Sequence, residues 1–160
     1  KQRDDVGYDL ADYYGRVETQ LATMEQELDP LVETGFTDDA EVVVVAFGTP
    51  GKFVRYCVQE LRAEGVRVGF VRPISLLPFP SDALRAAVAG SRGVAVYENS
   101  AGQLVDDVRL AVLGDAPVDF IGGLTMDASA FGIGPDIQIP VIKERILAAC
   151  ERAGYDPSKD

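Results

Sequence analysis

Residues 41–80 read EVVVVAFGTPGKFVRYCVQELRAEGVRVGFVRPISLLPFP and carry most of the information about the fold. The stretch opens with an apolar, β-branched run from Glu41 to Phe47, which is typical of a strand buried on both faces of a parallel sheet. A second apolar run, from Val66 to Val71, predicts the returning strand. Between the two runs, apolar residues recur at helical spacing, so the stretch predicts a β-α-β unit. These residues are Phe53, Val54, Cys57, Val58 and Leu61.

The turn Gly48-Thr49-Pro50-Gly51 separates the first strand from the helix. Thr49 is predicted to cap the helix, and Pro50 suits its first turn. Because a helix N-terminus attracts anions, Gly48, Thr49 and Gly51 are also weak candidates for an anion site. The turn has neither the Gly-x-Gly-x-x-Gly pattern nor the Lys and Ser/Thr of a P-loop. A turn with a helix cap is therefore favoured over a phosphate site.

The size and composition of the chain indicate one globular domain. At 160 residues it is long enough to bury a core. No apolar run approaches the roughly 20 residues of a membrane helix, and the first residues have no signal-peptide core, so we expect a cytoplasmic protein without membrane contact. Since the chain starts at Lys1 rather than Met, we also expect it to be a trimmed or processed piece of a longer polypeptide.

Charge and residue types exclude several kinds of function. A net charge of −11 argues against nucleic acid and anionic membranes as partners. The chain has no histidine, which rules out Ser-His-Asp and Cys-His sites. Cys57 and Cys150 fall on apolar faces of predicted helices and are interpreted as structural; two cysteines cannot hold a zinc ion or an iron–sulfur cluster by themselves. We predict no catalytic, cofactor-binding or metal-binding residue in this chain.

An amphipathic helix is predicted near the N-terminus, from about Tyr8 to Glu27, with Pro30 ending it. Its apolar residues repeat at alternating steps of four and three, the spacing of a packed helix seam. Two interpretations stay open, because the stripe can lie on the sheet of its own domain or dock on a neighbouring chain or domain. The stripe consists of Leu10, Tyr14, Val17, Leu21, Met24 and Leu28.

The rest of the chain alternates strands and helices, which predicts a three-layer α/β/α domain with right-handed crossovers. Ser81 is predicted to cap the third helix. The loop from Gly122 to Pro140 is long but contains Phe131 and Ile133, so we expect it to pack on something, and these two residues are interface candidates. The other predicted elements are an edge strand at Leu31 to Thr34, a strand at Gly93 to Glu98, a helix at Gly102 to Val112, a strand at Pro117 to Ile121 and a last helix from Pro140.

Polar residues follow the strand that ends at Glu98. In open α/β sheets, the carboxyl ends of the strands are where ligands and functional loops lie. Asn99 or Ser100 can cap the next helix, and a Glu98 carboxylate directed at that helix N-terminus would be stabilised. Arg72 lies at the end of another strand and is predicted to pair with Glu98 across this edge.

Three motifs in order resemble one known family. They are Arg72-Pro73-Ile74 with Pro78-Phe79-Pro80, Tyr97-Glu98-Asn99 with Gly102-Gln103-Leu104, and Val118 to Gly123. Together they resemble the C-terminal domain of the alpha subunit of 2-oxoacid:ferredoxin oxidoreductases, a relative of the transketolase C-terminal domain. The resemblance spans roughly Leu31 to Ala153. It implies a mostly parallel five-stranded sheet with one antiparallel edge strand, and it adds Gln103 to Arg72, Glu98 and Asn99 as interface or anchor candidates.

The resemblance implies a supporting role in an enzyme. Enzymes of this family cleave a 2-oxoacid with thiamine diphosphate, pass electrons through iron–sulfur clusters to ferredoxin and form an acyl-CoA. This chain has no Gly-Asp-Gly…Asn motif, no cysteine set and no Tyr-Pro-Ile-Thr-Pro signature. The resemblance therefore implies that thiamine diphosphate, magnesium, iron–sulfur clusters, CoA and ferredoxin belong to the complete oligomeric enzyme. It also implies that this piece is inactive alone. The residues that select the preferred 2-oxoacid are expected on other parts of the enzyme.

The resemblance also divides the chain into a linker helix at 1–30, an α/β domain at 31–153 and a polar tail at 154–160. Two rival functions remain: the C-terminal domain of a transketolase or 2-oxoacid dehydrogenase beta subunit, and a non-catalytic module that binds a nucleotide or CoA at Gly48–Gly51. The apolar N-terminal stripe and the 122–140 loop predict that the chain alone self-associates.

Overall fold

The computed structural model describes the backbone of residues 3–123 and 137–159, and the side chains from residue 10 onward within those ranges. It contains ten helices and strands and one short 3-10 turn in the described part. In chain order these are α1 (Arg3–Glu27), β1 (Val32–Gly35), β2 (Val42–Val45), α2 (Gly48–Ala63), β3 (Val68–Pro73), α3 (Ser81–Val88), β4 (Gly93–Val96), α4 (Leu104–Val112), β5 (Val118–Phe120), α5 (Ile139–Arg152) and the 3-10 turn (Pro157–Lys159).

The sheet has five strands in the order β1-β3-β2-β4-β5. β1 pairs antiparallel with β3, and the other neighbouring strands are parallel. In the centre, Val44 lies between Phe70 of β3 and Ala95 of β4. All four valines of β2 are at most 1% exposed, as the β-branched run predicts for a strand covered on both faces. The prediction of a mostly parallel sheet with one antiparallel edge strand is confirmed.

Alternate residues of β2 feed two separate cores. Val42 and Val44 pack with α2 and α5 on one face, and Val43 and Val45 pack with α3 and α4 on the other. Because successive side chains of a strand point to opposite faces, four consecutive valines serve both cores at once. The three-layer arrangement is confirmed. Ser81, however, is the first residue of α3 rather than its cap; Pro80 holds the cap position, and no side chain bonds the helix end there.

α1 does not bury its apolar stripe. Leu21 and Met24 are each 44% exposed, and Leu10, Tyr14 and Leu28 are more exposed still. The interpretation in which the stripe lies on its own sheet is therefore wrong for the described stripe residues. The predicted interface residues Phe131 and Ile133 lie outside the described residues, whereas Ile137 and Ile139 pack against the core shared by α2 and α5.

The two cysteines are structural. Cys57 and Cys150 are free and fully buried in the core between α2, α5 and the sheet. Burial raises the pKa of the Cys57 thiol to about 11 and that of the Cys150 thiol to about 12. Neither thiol is a nucleophile near neutral pH, because the reactive form is the thiolate. Within the described residues, no helix combines the length and the apolar character needed to span a membrane.

Candidate functional site at the carboxyl edge of the sheet

The loops that follow β2 and β4 leave the sheet towards opposite faces. β2 leads into α2, which packs on the same face as α5, while β4 leads towards α4, which packs with α3 on the other face. In open α/β sheets such a divergence marks the topological switch point, where ligands usually bind. The turn at Gly48–Gly51 and the stretch from Glu98 to Gln103 flank this point, so these predicted site residues lie along one edge of the sheet, while Phe131 and Ile133 are outside the described residues.

Glu98 lies just after β4 and is 1% exposed. The Ser100 hydroxyl donates to its Oε2 at 2.6 Å. The backbone N–H of Gln103 lies 3.1 Å from Oε1 and 3.0 Å from Oε2. The N–H groups of Leu104 and Val105 donate at 2.9 Å and 3.0 Å. The carboxylate thus caps α4 from outside the helix and satisfies N–H groups that a helix N-terminus leaves free.

The hydrogen bonds to Glu98 also set its charge state. Burial by itself would raise the pKa of this carboxyl, but donation from Ser100 and from the backbone of Leu104, Gln103 and Val105 outweighs burial. The pKa therefore lies below its ordinary value of 4.5. Glu98 is ionised at neutral pH with both oxygens occupied, which leaves it poorly placed to accept a proton from a substrate.

Gly122 closes the other side of Glu98. A Cβ atom on Gly122 would lie 2.2 Å from the carbonyl oxygen of Glu98 and 2.6 Å from its nitrogen. The N–H of Gly123 donates to that same carbonyl at 3.0 Å, and the N–H of Ile121 donates to Val96 at 2.9 Å. The residues after β5 thus keep donating backbone hydrogen bonds to β4 and to Glu98 beyond it, and glycine is required at 122 because the two backbones are in contact there.

The predicted pairing of Arg72 with Glu98 is wrong. Arg72 ends β3, Glu98 follows β4, and β2 lies between those strands. The Arg72 guanidinium instead bonds Glu33 of β1 at 2.9 Å, because antiparallel pairing places Glu33 directly beside Arg72. Arg55 of α2 bonds the other oxygen of Glu33 at 2.7 Å. Hydrogen bonds first from Arg55 and then from Arg72 lower the pKa of Glu33.

Replacing Glu33 with glutamine is expected to lower the free energy of unfolding by about 1 kcal/mol, since the pair with Arg72 is only partly exposed while the pair with Arg55 is largely solvated. The Arg72 side chain is 19% exposed and that of Arg55 is 45% exposed. Urea unfolding checks the value. In a double-mutant cycle the coupling of Glu33 to Arg72 should exceed its coupling to Arg55, and the reverse order would contradict the geometry.

At the turn Gly48–Gly51, the predicted helix cap at Thr49 is wrong, whereas Pro50 does lie in the first turn of α2. Phe47 holds the cap position of α2, and Thr49 lies inside the first turn without a capping hydrogen bond. Pro50 has no N–H, so one of the donors that an anion would use is missing. Gly51 has a packing role instead, because a Cβ there would lie 2.7 Å from the carbonyl oxygen of Ala46. The geometry favours a tight strand-to-helix connection over an anion site.

Two polar atoms at this edge are buried and have no hydrogen-bond partner among the described residues. They are Nε of Arg72 and Oδ1 of Asn99. Neither Asn99 nor Ser100 caps α4 directly; Ser100 instead holds the Glu98 carboxylate. Gln103 is the exposed cap residue of α4, and its side chain makes no capping bond. Asn99 thus lies beside the Glu98 cap without sharing in it, and Gln103 takes part only through its backbone N–H.

Sequence reasoning missed Glu33, Arg55 and Gly122. A signal existed for Gly122, because two consecutive glycines directly follow the last strand, a place where close backbone approach is common. No signal existed for Glu33 with Arg55, since their contact depends on how α2 lies over the edge strand. In the part of the chain that the structure describes, no group of three His, Cys, Asp or Glu residues is placed to hold a metal ion.

Comparison with known sequences gives a family match that includes the strands and loops of this edge. Residues 40–129 match the family model described as pyruvate:ferredoxin oxidoreductase core domain II. The ketoisovalerate oxidoreductase subunit VorB of Methanothermobacter thermautotrophicus is 37% identical over 108 residues, which cover 68% of this chain and 28% of that protein. The 2-oxoglutarate synthase subunit KorA of Methanothermobacter marburgensis is 36% identical over 90 residues, which cover 56% of this chain and 24% of that protein.

Comparison with solved structures agrees. A 2-oxoglutarate:ferredoxin oxidoreductase from Magnetococcus marinus, solved with 2-oxoglutarate, coenzyme A and succinyl-CoA bound, aligns with a TM-score of 0.54 at 25% identity, over 91% of this chain and 24% of that chain. A split-gene transketolase, described as an inactive beta4 tetramer, aligns with a TM-score of 0.54 at 19% identity, over 71% of this chain and 39% of that chain. The second likeness shows the fold alone.

The chain spans about 28% of the length of the VorB subunits that it matches. The family model covers more than half of the chain, including the strand-turn-helix unit at β2 and the whole Glu98 cap. The chain therefore belongs to the family of pyruvate:ferredoxin oxidoreductase core domain II.

Proposed function

We propose that this chain is the C-terminal domain of the alpha subunit of a thiamine diphosphate-dependent 2-oxoacid:ferredoxin oxidoreductase. Its role is to support subunit assembly, and catalysis takes place on other polypeptide. The linker helix at 1–30, the α/β domain at 31–153 and the tail at 154–160 are the units of this proposal. Family membership favours it over a transketolase or 2-oxoacid dehydrogenase beta subunit.

One observation favours a supporting role over a catalytic one: both carboxylate oxygens of Glu98 already accept hydrogen bonds from the protein. This carboxylate lies at the switch point, where an α/β enzyme would place a catalytic group. Its two oxygens accept hydrogen bonds from the Ser100 hydroxyl, from the N–H of the cap residue Gln103 and from two N–H groups in the first turn of α4. A carboxylate held in this way stabilises a helix end and has little capacity left for substrate.

The cofactors of the proposed enzyme do not fit the described residues. Thiamine diphosphate with magnesium requires an oxygen-rich ligand set, and iron–sulfur clusters require several thiolates. The described residues offer no acidic cluster for a metal, and both described thiols are buried and protonated. We therefore assign these cofactors, CoA and the ferredoxin contact to other parts of a cytoplasmic complex.

The test compares the isolated chain with the complete enzyme. The complex that contains this chain should oxidise a 2-oxoacid in the presence of CoA and reduce ferredoxin. The isolated chain should fold, as judged by cooperative urea unfolding, and should turn over none of these substrates. Turnover by the isolated chain, or a complete complex inactive on every 2-oxoacid tried, would contradict the proposal.

Titration of the isolated chain with CoA and with nucleotides tests the rival binding module. Saturable binding that is lost in Thr49→Pro would favour a site at Gly48–Gly51. We expect no saturable binding, because Pro50 removes a donor and Gly51 is packed against Ala46.

A further inference from the structure

The apolar stripe of helix α1, in the part whose side chains the structure describes, is exposed rather than packed. The helix has 25 residues, and in proteins most of the stability of a helix comes from packing of its amphipathic face rather than from helix propensity. Its described stripe residues are exposed, apart from the half-buried Val17. An ordered α1 therefore implies a surface that covers the stripe.

The stripe is a straight seam. Its residues alternate in steps of four and three from Leu10 to Leu28, which keeps them on one side of a helix. At 1.5 Å per residue the seam is about 27 Å long. A seam of this period and length accepts an apolar segment lying along the helix, such as another helix.

A second group of exposed apolar residues lies where the chain leaves α1 and enters the α/β domain. Leu31 follows α1 and is exposed, and its carbonyl oxygen accepts hydrogen bonds from the N–H groups of Ile74 at 2.8 Å and of Ser75 at 3.1 Å. The Ser75 hydroxyl accepts from the N–H of Leu31 at 2.8 Å. These bonds fix Leu31 beside a loop on which Ile74, Leu76 and Leu77 are all exposed. Residues 73–81 carry no charge.

The flanks of the seam are acidic. Glu18 and Glu25 follow the stripe residues Val17 and Met24 on one side, and Glu27 precedes Leu28 on the other. Residues 10–31 contain five acidic side chains and a single basic one, Arg16. Complementary potentials favour a partner whose apolar surface is bordered by positive charge.

We propose that the α1 seam, together with Leu31 and the Ile74–Leu77 loop, binds an apolar segment bordered by Lys and Arg on another polypeptide of the same oxidoreductase. This inference rests on the proposed function for the identity of the complex. A second copy of this chain fits less well, because antiparallel pairing of two α1 helices centred on the seam sets Glu18 against its own counterpart, and both helices are acidic.

The test is site-specific photo-cross-linking in the complete complex. A photoreactive residue is placed at Leu21 on the seam, and a matched control is placed at Gln26 on the opposite side of α1. Mass spectrometry of the product from position 21 is expected to give an apolar peptide bordered by Lys or Arg from another polypeptide. A cross-link to α1 of a second copy, to residues 32–159 of the same chain or to a segment without basic residues would overturn the proposal, and so would equal labelling from Gln26.

Charge reversal gives an independent measurement. The double variant Glu18→Lys, Glu25→Lys should weaken retention of the chain in the complex by about tenfold at low salt, and the loss should shrink at high salt. Gln26→Lys is the control and should retain the chain normally. Equal retention of all variants in the complex would overturn the proposal that the partner segment is bordered by basic residues. Because retention and cross-linking are read without an activity assay, loss of the seam contact and an error in the proposed reaction give different results.

Discussion

Replacing Glu98 with alanine is expected to lower the free energy of unfolding of the domain by about 3–5 kcal/mol. The change removes the carboxylate that accepts hydrogen bonds from the N–H groups of Leu104 and Val105, both of which are buried residues. It also leaves the Ser100 hydroxyl without its carboxylate partner. Buried donors without acceptors are costly, and the cap of α4 is lost at the same time. Urea unfolding monitored by circular dichroism measures the difference.

Two controls separate the cap from a general loss of charge. Asp106→Ala removes an exposed carboxylate from the first turn of α4 and should change stability by less than about 0.5 kcal/mol. Glu98→Gln keeps one acceptor oxygen, so its free energy of unfolding should lie between that of Glu98→Ala and that of the parent. If Glu98→Ala were no more destabilising than Asp106→Ala, the capping role would be wrong.

Lowering the pH should reduce the contribution of Glu98 to the free energy of unfolding. Its pKa in the folded domain lies below the ordinary value of 4.5, so the ionised carboxylate stabilises the fold above that pH and loses this effect as the pH falls through the folded pKa. The stability difference between the parent and Glu98→Gln should thus be constant near neutral pH and shrink below about pH 4.5. A difference that grew on acidification would have the wrong sign.

Replacing Gly122 with alanine is expected to destabilise the domain by about 3 kcal/mol or more. The new Cβ would lie 2.2 Å from a backbone carbonyl oxygen and 2.6 Å from a backbone nitrogen, both of Glu98. Since backbone cannot turn aside as a flexible side chain can, residues 121–123 after β5 must move away from the backbone of Glu98. The same shift would disturb the Glu98 cap of α4, so the loss should appear in global unfolding.

Gly15→Ala is the matched control for Gly122→Ala. A Cβ on Gly15 meets nothing within 4 Å, and the residue lies inside α1. Alanine is preferred over glycine there by about 1 kcal/mol of local helix stability, so unfolding of the α/β domain should be unchanged. Equal behaviour of the two alanine variants would show that the packing at Glu98 is looser than described.

The fold was predictable because its signals are local and agree with one another. A β-branched run followed by a helical pattern and a second run indicates a parallel unit, and β2 with its neighbours follows that pattern. Element ends were less predictable. Thr49 and Ser81 both looked like caps, but each lies inside its helix because the preceding residues, Phe47 and Pro80, take the cap positions without side-chain bonds.

The contacts at the carboxyl edge were predictable only in part. Glu98 was expected near a helix N-terminus, and the structure confirms it there. The predicted partner of Arg72 was wrong because β3 and β4 follow each other in sequence but are not neighbours in the sheet. Strand order places β2 between them and brings the short edge strand, with Glu33, beside Arg72. Pairwise side-chain contacts of this kind depend on the topology rather than on any local pattern.

Steady-state kinetics of Glu98→Gln in the proposed 2-oxoacid:ferredoxin oxidoreductase complex test the supporting role most directly. The account predicts that the assembled complex keeps kcat and the KM values for the 2-oxoacid and for CoA within about twofold of the parent, because glutamine disturbs a helix cap and no reacting group. Lower stability and a lower yield of complex are the expected losses. A fully assembled complex with kcat reduced about a hundredfold would instead make Glu98 part of the catalytic machinery and contradict the account.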